Sequence, residues 1–249
     1  MTLDLTTLLP PSVFALRAAP RMTDRYVHVN SHDIIDMMSG EGFVLDSATA
    51  RKTRTRDPLY TKHQLDFRHP DLPQIDGGTA RILFTNAHDG TSAAKFMMGV
   101  YRFICSNGLV VGSTYAKEVV RHSGEQARSL IERVRALSKN TGPLFAQIDG
   151  WSRKELAPSE TIEFARLAAV LRFGDAQRFD PAQLLATHRP EDENHTLWRV
   201  FNRVQENALS RTLRGFSADG RALASRPVKS IDKTTDFNVQ LWRLAEEFA

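Results

Sequence analysis

Hydrophobic positions along the chain follow two periods, and the switch between them separates a β-rich part from a helical one. Two apolar runs, residues 81–84 and 96–104, flank Asn86-Ala87-His88-Asp89-Gly90, and a third begins after Asn107-Gly108. Asp-Gly and Asn-Gly supply the positive φ of tight turns at little steric cost. The pattern therefore predicts a meander of three antiparallel strands. In the middle run Phe96, Met98, Val100, Arg102 and Ile104 alternate with Lys95, Met97, Gly99, Tyr101, Phe103 and Cys105. Both sets are largely apolar, which predicts a central strand covered on both faces. Ala94, Met97, Met98, Tyr101 and Ile104 also fit helical spacing, so a helix over 91–105 is the competing reading.

Upstream, residues 25–30 predict a short strand, and Ser31 predicts the cap of a helix through Ser39 that buries Ile34, Ile35 and Met38 and closes at Gly40. Residues 42–50 read as a strand that continues into 49–56, ended by Asp57-Pro58. Residues 61–69 read as extended and 70–78 as a loop. Downstream, Ser123 and Gln126 form a capping box before a helix whose stripe is Ala127, Leu130, Ile131, Val134 and Leu137. Gly142-Pro143 predicts a turn. A helix follows over 159–173, ended by Gly174, and Asp180-Pro181 caps a shorter one to about residue 186. Residues 187–195 form a polar hinge. A helix over 196–209 turns Leu197, Phe201, Val204 and Ala208 inward. Asp219-Gly220 predicts a small hairpin, and a last helix from Thr235 carries Phe237, Leu241, Leu244 and Phe248 on one stripe. The predicted class is α+β: an antiparallel β-meander flanked by helices, with a mainly helical C-terminal half. The expected organisation is an arm over 1–25, an α+β core over 26–140 and a helical region over 141–249 packed on that core.

Composition changes this picture in one place. The chain has 249 residues, 41% hydrophobic and 25% charged, with a net charge of +4. No apolar run approaches the ~18 residues of a membrane span. A single cysteine, Cys105, excludes an internal disulfide and a cysteine-rich zinc site. The charge is concentrated: Arg51, Lys52, Arg54, Arg56, Lys62 and Arg68 stand against Asp57 and Asp66 within 51–70, and 6 − 2 = +4 equals the excess of the whole chain. A strand over 49–56 projects Lys52, Arg54 and Arg56 from one face, because side chains repeat every second residue. Such a cluster suits a polyanion, with Tyr60 and Phe67 as stacking groups. Its plainer role is to protect a sheet edge.

Catalytic signatures are lacking. The chain contains no HExxH, GxSxG, GxGxxG or P-loop, and His28 and His32 straddle an element boundary. Neither a metal nor a cofactor is expected, and no catalytic residue is assigned. Cys105 reads as a small buried hydrophobe, the Asn86–His88–Asp89 group as turn formers, and Glu191-Asp192-Glu193 as solvated charge.

Several segments taken in order carry a resemblance: SHDII, TKHQLDFRH, the Asn-Ala-His-Asp-Gly turn, YRFICSNGLVVG, VVRHSG, LWRVFNRVQEN and RPVKSIDKTTDFNVQLWRLAEEF. From about residue 25 onward the chain resembles the phage- and plasmid-borne proteins grouped as domain of unknown function 932. The resemblance implies a bacterial mobile-element setting and a cytoplasmic protein. It assigns no catalytic residue, and it singles out Arg102, Cys105, Asn107 and Gly108 without a role. Together with the basic stretch it leads to a non-catalytic protein that binds nucleic acid, specifically single-stranded DNA in recombination or in plasmid or phage establishment. Arg51, Lys52, Arg54, Arg56, Lys62 and Arg68 are the expected phosphate contacts, with Lys117, Arg121 and Arg128 as secondary ones. The alternatives are an anti-defence protein that binds a host nuclease or immune complex, and a metal-dependent nuclease. A host defence or recombination protein and a second copy of the chain are the further partners considered.

Overall fold

The computed structural model describes residues 9–24, 26–52, 57–71, 74–75, 78–102, 109–110, 117–120, 132, 134, 136, 141–175 and 178–249; for 74–75, 78, 99–102, 109–110, 117–120 and 141 this concerns the backbone alone. Contacts divide the chain into two compact units. The first comprises Met1–Gln74, Thr79–Val100 and Thr114–Thr141; the second comprises Ile75–Gly78, Tyr101–Ser113 and Gly142–Ala249.

The strands are β1 (Val44–Ala50), β2 (His63–Arg68), β3 (Gln74–Ile75), β4 (Gly78–Asn86), β5 (Ala94–Arg102), β6 (Leu109–Val110) and β7 (Lys117–Val120). In the first unit the antiparallel order is β1-β2-β4-β5, and β7 pairs with β5. The register His63↔Asn86, Leu65↔Phe84 and Phe67↔Ile82 gathers large apolar side chains on one face. Leu65, Phe67, Ile82 and Phe84 are all fully buried there. Phe84 and Phe96, with ring centroids 4.8 Å apart, carry that face into β5. Residues 94–102 are thus a strand and not a helix, and burial of Phe96, Met97 and Met98 shows that both its faces are covered. The turn before it relies on Gly90 at φ +73, where a Cβ would also meet the Met22 sulfur at 2.8 Å.

Several local expectations change. Residues 26–30 are not a strand, because their polar groups serve other elements. The cap of helix α1 (Ser31–Gly40) is Asn30, whose side chain accepts from His32 N at 3.0 Å, while Ser31 turns inward. Strand β1 ends at Ala50, although Arg51 N still donates to Lys62 O at 2.8 Å. Asp57 caps a 3₁₀ turn over Pro58–Tyr60 by accepting from Leu59 N. The expected loop over 70–78 contains β3. Of the helix expected after Ser123, residues 132, 134 and 136 are helical, and Val134 is buried as its stripe requires; the rest lies outside the described residues.

The second unit is mainly helical: α2 (Thr141–Arg153), α3 (Pro158–Phe173), α4 (Leu197–Ser210) and α5 (Ile231–Glu247), with the hairpin β8 (Arg214–Phe216) and β9 (Ala222–Ala224). Gly142-Pro143 opens α2 and does not form a separate turn, since proline is tolerated in the first helical turn. Gly174 ends α3 at φ +77, and Gly220 turns the hairpin at φ +79. The last helix starts at Ile231, capped by Ser230, earlier than its apolar stripe indicates. Trp151, Trp198, Phe201 and Trp242 form the core, with Trp151 and Trp242 centroids 4.2 Å apart. Residues 187–195 are mostly exposed, Glu191 and Glu193 among them, but Asp192 is not. Asp192 is only 2% exposed and faces Arg199 at 3.5 Å, so this carboxylate belongs to the interior. The polar side of α4 is buried as well. Glu206 accepts from Arg189 through two nitrogens (2.7 and 3.1 Å) and from Arg211 at 2.9 Å, and Asn207 donates to Leu184 O and Ala186 O. The chain is α+β, and among the described residues no helix is long and apolar enough to cross a membrane.

Candidate nucleic-acid interface

In the first unit most polar residues singled out by the sequence serve the fold. His63 Nδ1 lies 3.3 Å from Thr61 O. A carbonyl can only accept, so the ring proton sits on Nδ1 and Nε2 accepts from Ser31 Oγ at 2.7 Å. Asn86 Nδ2 donates to Ser31 Oγ (3.1 Å) and to Val29 O (2.9 Å), which completes the chain. Burial pushes the His63 ring down to about 4, so it is neutral at neutral pH. Ser31 and His63 are each 0% exposed, which leaves no substrate access to this serine–histidine pair. His88 Nε2 donates to Ser12 O and His28 Nε2 to Ala15 O, tying residues 12–15 onto the sheet end. Asp89 holds its own turn through Thr91 N and faces Arg21 at 3.5 Å. Burial and the nearby Asp89 charge push the Tyr26 phenol up to about 12. A cavity of about 160 Å³ beside this turn is lined by Arg21, Asp57, Tyr60 and Asp89, a mixture of charges that selects for neither sign.

Of the row expected from Lys52, Arg54 and Arg56, only Lys52 is among the described residues. Arg51 and Lys52 are exposed, but Lys62 is 8% exposed. Arg68 faces Asp46 at 3.4 Å, a carboxylate that it shares with Arg81. Arg54, Arg56, Arg121, Arg128, Cys105, Asn107 and Gly108 lie outside the described residues, and Arg102 and Lys117 are described only as backbone in β5 and β7. Among the described residues the one group with metal-ligand spacing is His32, Asp33 and Asp36, all exposed on α1.

A second basic stretch escaped the sequence reading. Residues 210–229 hold Arg211, Arg214, Arg221, Arg226 and Lys229 against Asp219, so 5 − 1 = +4, the same excess as 51–70. Charge arithmetic applied window by window reveals it. Here the structure adds residues from elsewhere in the second unit. Arg172, Phe173, Arg178, Phe179 and Arg226 line a cavity of about 220 Å³, and no carboxylate is among its described lining residues. Arg172 donates through Nε to Ala208 O (3.0 Å) and through Nη2 to Arg226 O (3.2 Å). Its guanidinium carbon lies 4.9 Å from the Phe173 ring centroid, and burial lowers its pKa. The group is therefore fixed in place with Nη1 still available. Arg178, Arg214 and Arg226 are exposed and make no ion pair among the described residues. Gly215 permits this arrangement. Phe179 bridges to it, Phe216 N donates to Arg178 O at 3.1 Å, and a Cβ on Gly215 would fall 1.9 Å from that same carbonyl oxygen.

Comparison with known proteins places the chain. The model of the family described as domain of unknown function (DUF932) matches residues 21–242. Two Escherichia coli (strain K12) proteins, "UPF0380 protein YfjQ" and "UPF0380 protein YafZ", are each 32% identical over 241 residues, covering 95% of this chain and 87% of theirs. No solved structure matches. The chain belongs to the DUF932 family, as its ordered segments had indicated.

Proposed function

We propose that the protein binds nucleic acid, single-stranded DNA in particular, without acting on it chemically, and that the second unit supplies the principal contact. One observation carries this reading: the cavity walled by Arg172, Arg178 and Arg226 and by the rings of Phe173 and Phe179, with no carboxylate among its described lining residues. Uncompensated arginines suit phosphate, because the guanidinium offers a planar fork of donors that matches its oxygens. Arg172 is already oriented, so little side-chain entropy is lost on contact. The processes that fit this reading are recombination or the establishment of a mobile element, the setting implied by the family resemblance. Fluorescence anisotropy with a labelled single-stranded oligonucleotide tests it. The parent should bind at low salt, with log K falling linearly against log salt. The double variant Arg178→Gln/Arg226→Gln should lower that slope by ~1.4, at ~0.7 per lost phosphate contact. Absence of binding by the parent at low salt would refute the proposal.

A further inference from the structure

The β8–β9 hairpin holds a feature that phosphate contact does not require. Phe216 is 66% exposed, although a phenylalanine ring in a folded unit ordinarily finds cover. Side chains two apart on a strand share a face, so Arg214 and Phe216 project together, while Gly215 between them faces Phe179. Their cross-strand partners are Ala224 and Ala222. Directly paired side chains are neighbours on one face, and a large residue at either position would screen the ring. Two alanines leave it uncovered. Ala224 belongs to both features, since it pairs with Arg214 and also lines the arginine cavity. Phe179 and Leu223, on the Gly215 side, line the cavity as well, so platform and cavity meet at Ala224 across the two sides of the hairpin.

We infer that Phe216 is a stacking platform for an unpaired base and makes the second unit select single strands, while the neighbouring arginine cavity holds the phosphate of the same strand. This rests on the nucleic-acid reading above and deepens it. Every base has a π-face but offers it only when unpaired, so stacking on an exposed ring separates single strands from duplexes without reading sequence. A duplex retains its phosphates for the cavity but has no free base for the ring. Arg214 beside the ring adds a cation to the strand's path, and no acidic partner among the described residues neutralises it. The charge of this surface is why we assign the exposed ring to a nucleic acid and not to a protein.

The test uses the full chain and three labelled probes: an oligothymidylate, an abasic phosphodiester strand of equal length, and a duplex of that length. The parent should prefer oligothymidylate to the other two. Phe216→Ala should weaken oligothymidylate binding roughly 5- to 150-fold, the range of one lost base–aromatic stack, and leave abasic and duplex binding unchanged. Phe216→Trp should keep the preference, which separates stacking from any loss of folding. Equal oligothymidylate binding by the parent and Phe216→Ala overturns the inference. So does an equal loss on all three probes, which would signal general disruption of the surface. Sedimentation in which Phe216→Ala turns a dimer into a monomer, with DNA binding unaltered, would make the hairpin a protein interface and also overturn it. Failure of the parent to bind any probe at low salt refutes the underlying reading itself.

Discussion

Two stretches of this chain carry the same excess of charge, and the fold treats them differently. In 51–70, Lys62 is buried and Arg68 faces Asp46, which leaves Arg51 and Lys52 exposed, with Arg54 and Arg56 outside the described residues. In 210–229, Arg211 is held by Glu206 and Arg221 by Asp219, while Arg214, Arg226 and Lys229 have no ion-pair partner among the described residues. Arg172 and Arg178 then join them around a cavity. Formal charge along the sequence thus measures potential contacts, and partners in the fold decide which of them remain. The same contrast holds for polar residues. Ser31, His63 and Asn86 satisfy one another in the interior, whereas the sequence offers Ser31 as a helix cap and Asn86 as a turn former.

The contrast breaks most visibly where a committed charge is removed. Glu206 is buried and held by Arg189 and Arg211, so Glu206→Gln leaves Arg189 with Asp192, at 3.8 Å, and Arg211 without its carboxylate. Removing one partner of a buried pair costs about 3–5 kcal/mol. Denaturation followed by tryptophan fluorescence checks this directly, since Trp151, Trp198 and Trp242 all lie in the second unit. Loss below 1 kcal/mol would place Glu206 among the dispensable charges.

A slightly smaller effect is expected from acid. His63 titrates at about 4 in the fold against 6.5 unfolded. Between these values the unfolded chain binds the extra proton. The stability that neutral His63 contributes is therefore complete above pH 6.5 and is lost as pH falls toward 4. The shift corresponds to about 3 kcal/mol. His28, also lowered by burial, acts in the same direction. Asp66 opposes them: burial raises its carboxyl, so the folded state takes up that proton more readily on acidification. Urea unfolding followed by circular dichroism across this range should show the loss in the parent and a much weaker loss in His63→Gln. Equal pH dependence in both would remove His63 from the account.

Legibility in the sequence followed how local each cause was. The middle strand was readable because Asp89-Gly90 and the alternation around Phe96 lie within a few residues of one another. The α4 helix was readable from its stripe, but the burial of its polar side was not, because Arg189 approaches Glu206 from a preceding loop. Polar residues at 187–195 suggested solvent, which holds for Glu191 and Glu193 but not for Asp192, whose partner Arg199 lies on the following helix. The short strand expected over 25–30 failed because Asn30 caps α1 and Val29 O accepts from Asn86, contacts that no local pattern shows. The charge of 210–229 was countable, whereas its cavity needs Arg172 and Arg178 and the close approach that only Gly215 allows.

The central claim is that uncommitted arginines of the second unit, and not the first basic stretch, carry the polyanion. The direct measurement compares salt dependence of oligonucleotide binding in the parent, in Arg178→Gln/Arg226→Gln and in Arg51→Gln/Lys52→Gln. All three should melt alike, because surface substitutions away from packed contacts cost ~0.5 kcal/mol or less. The account predicts a slope reduced by ~1.4 in Arg178→Gln/Arg226→Gln and a nearly unchanged slope in Arg51→Gln/Lys52→Gln. A reduced slope in Arg51→Gln/Lys52→Gln, with the other variant matching the parent, would contradict it.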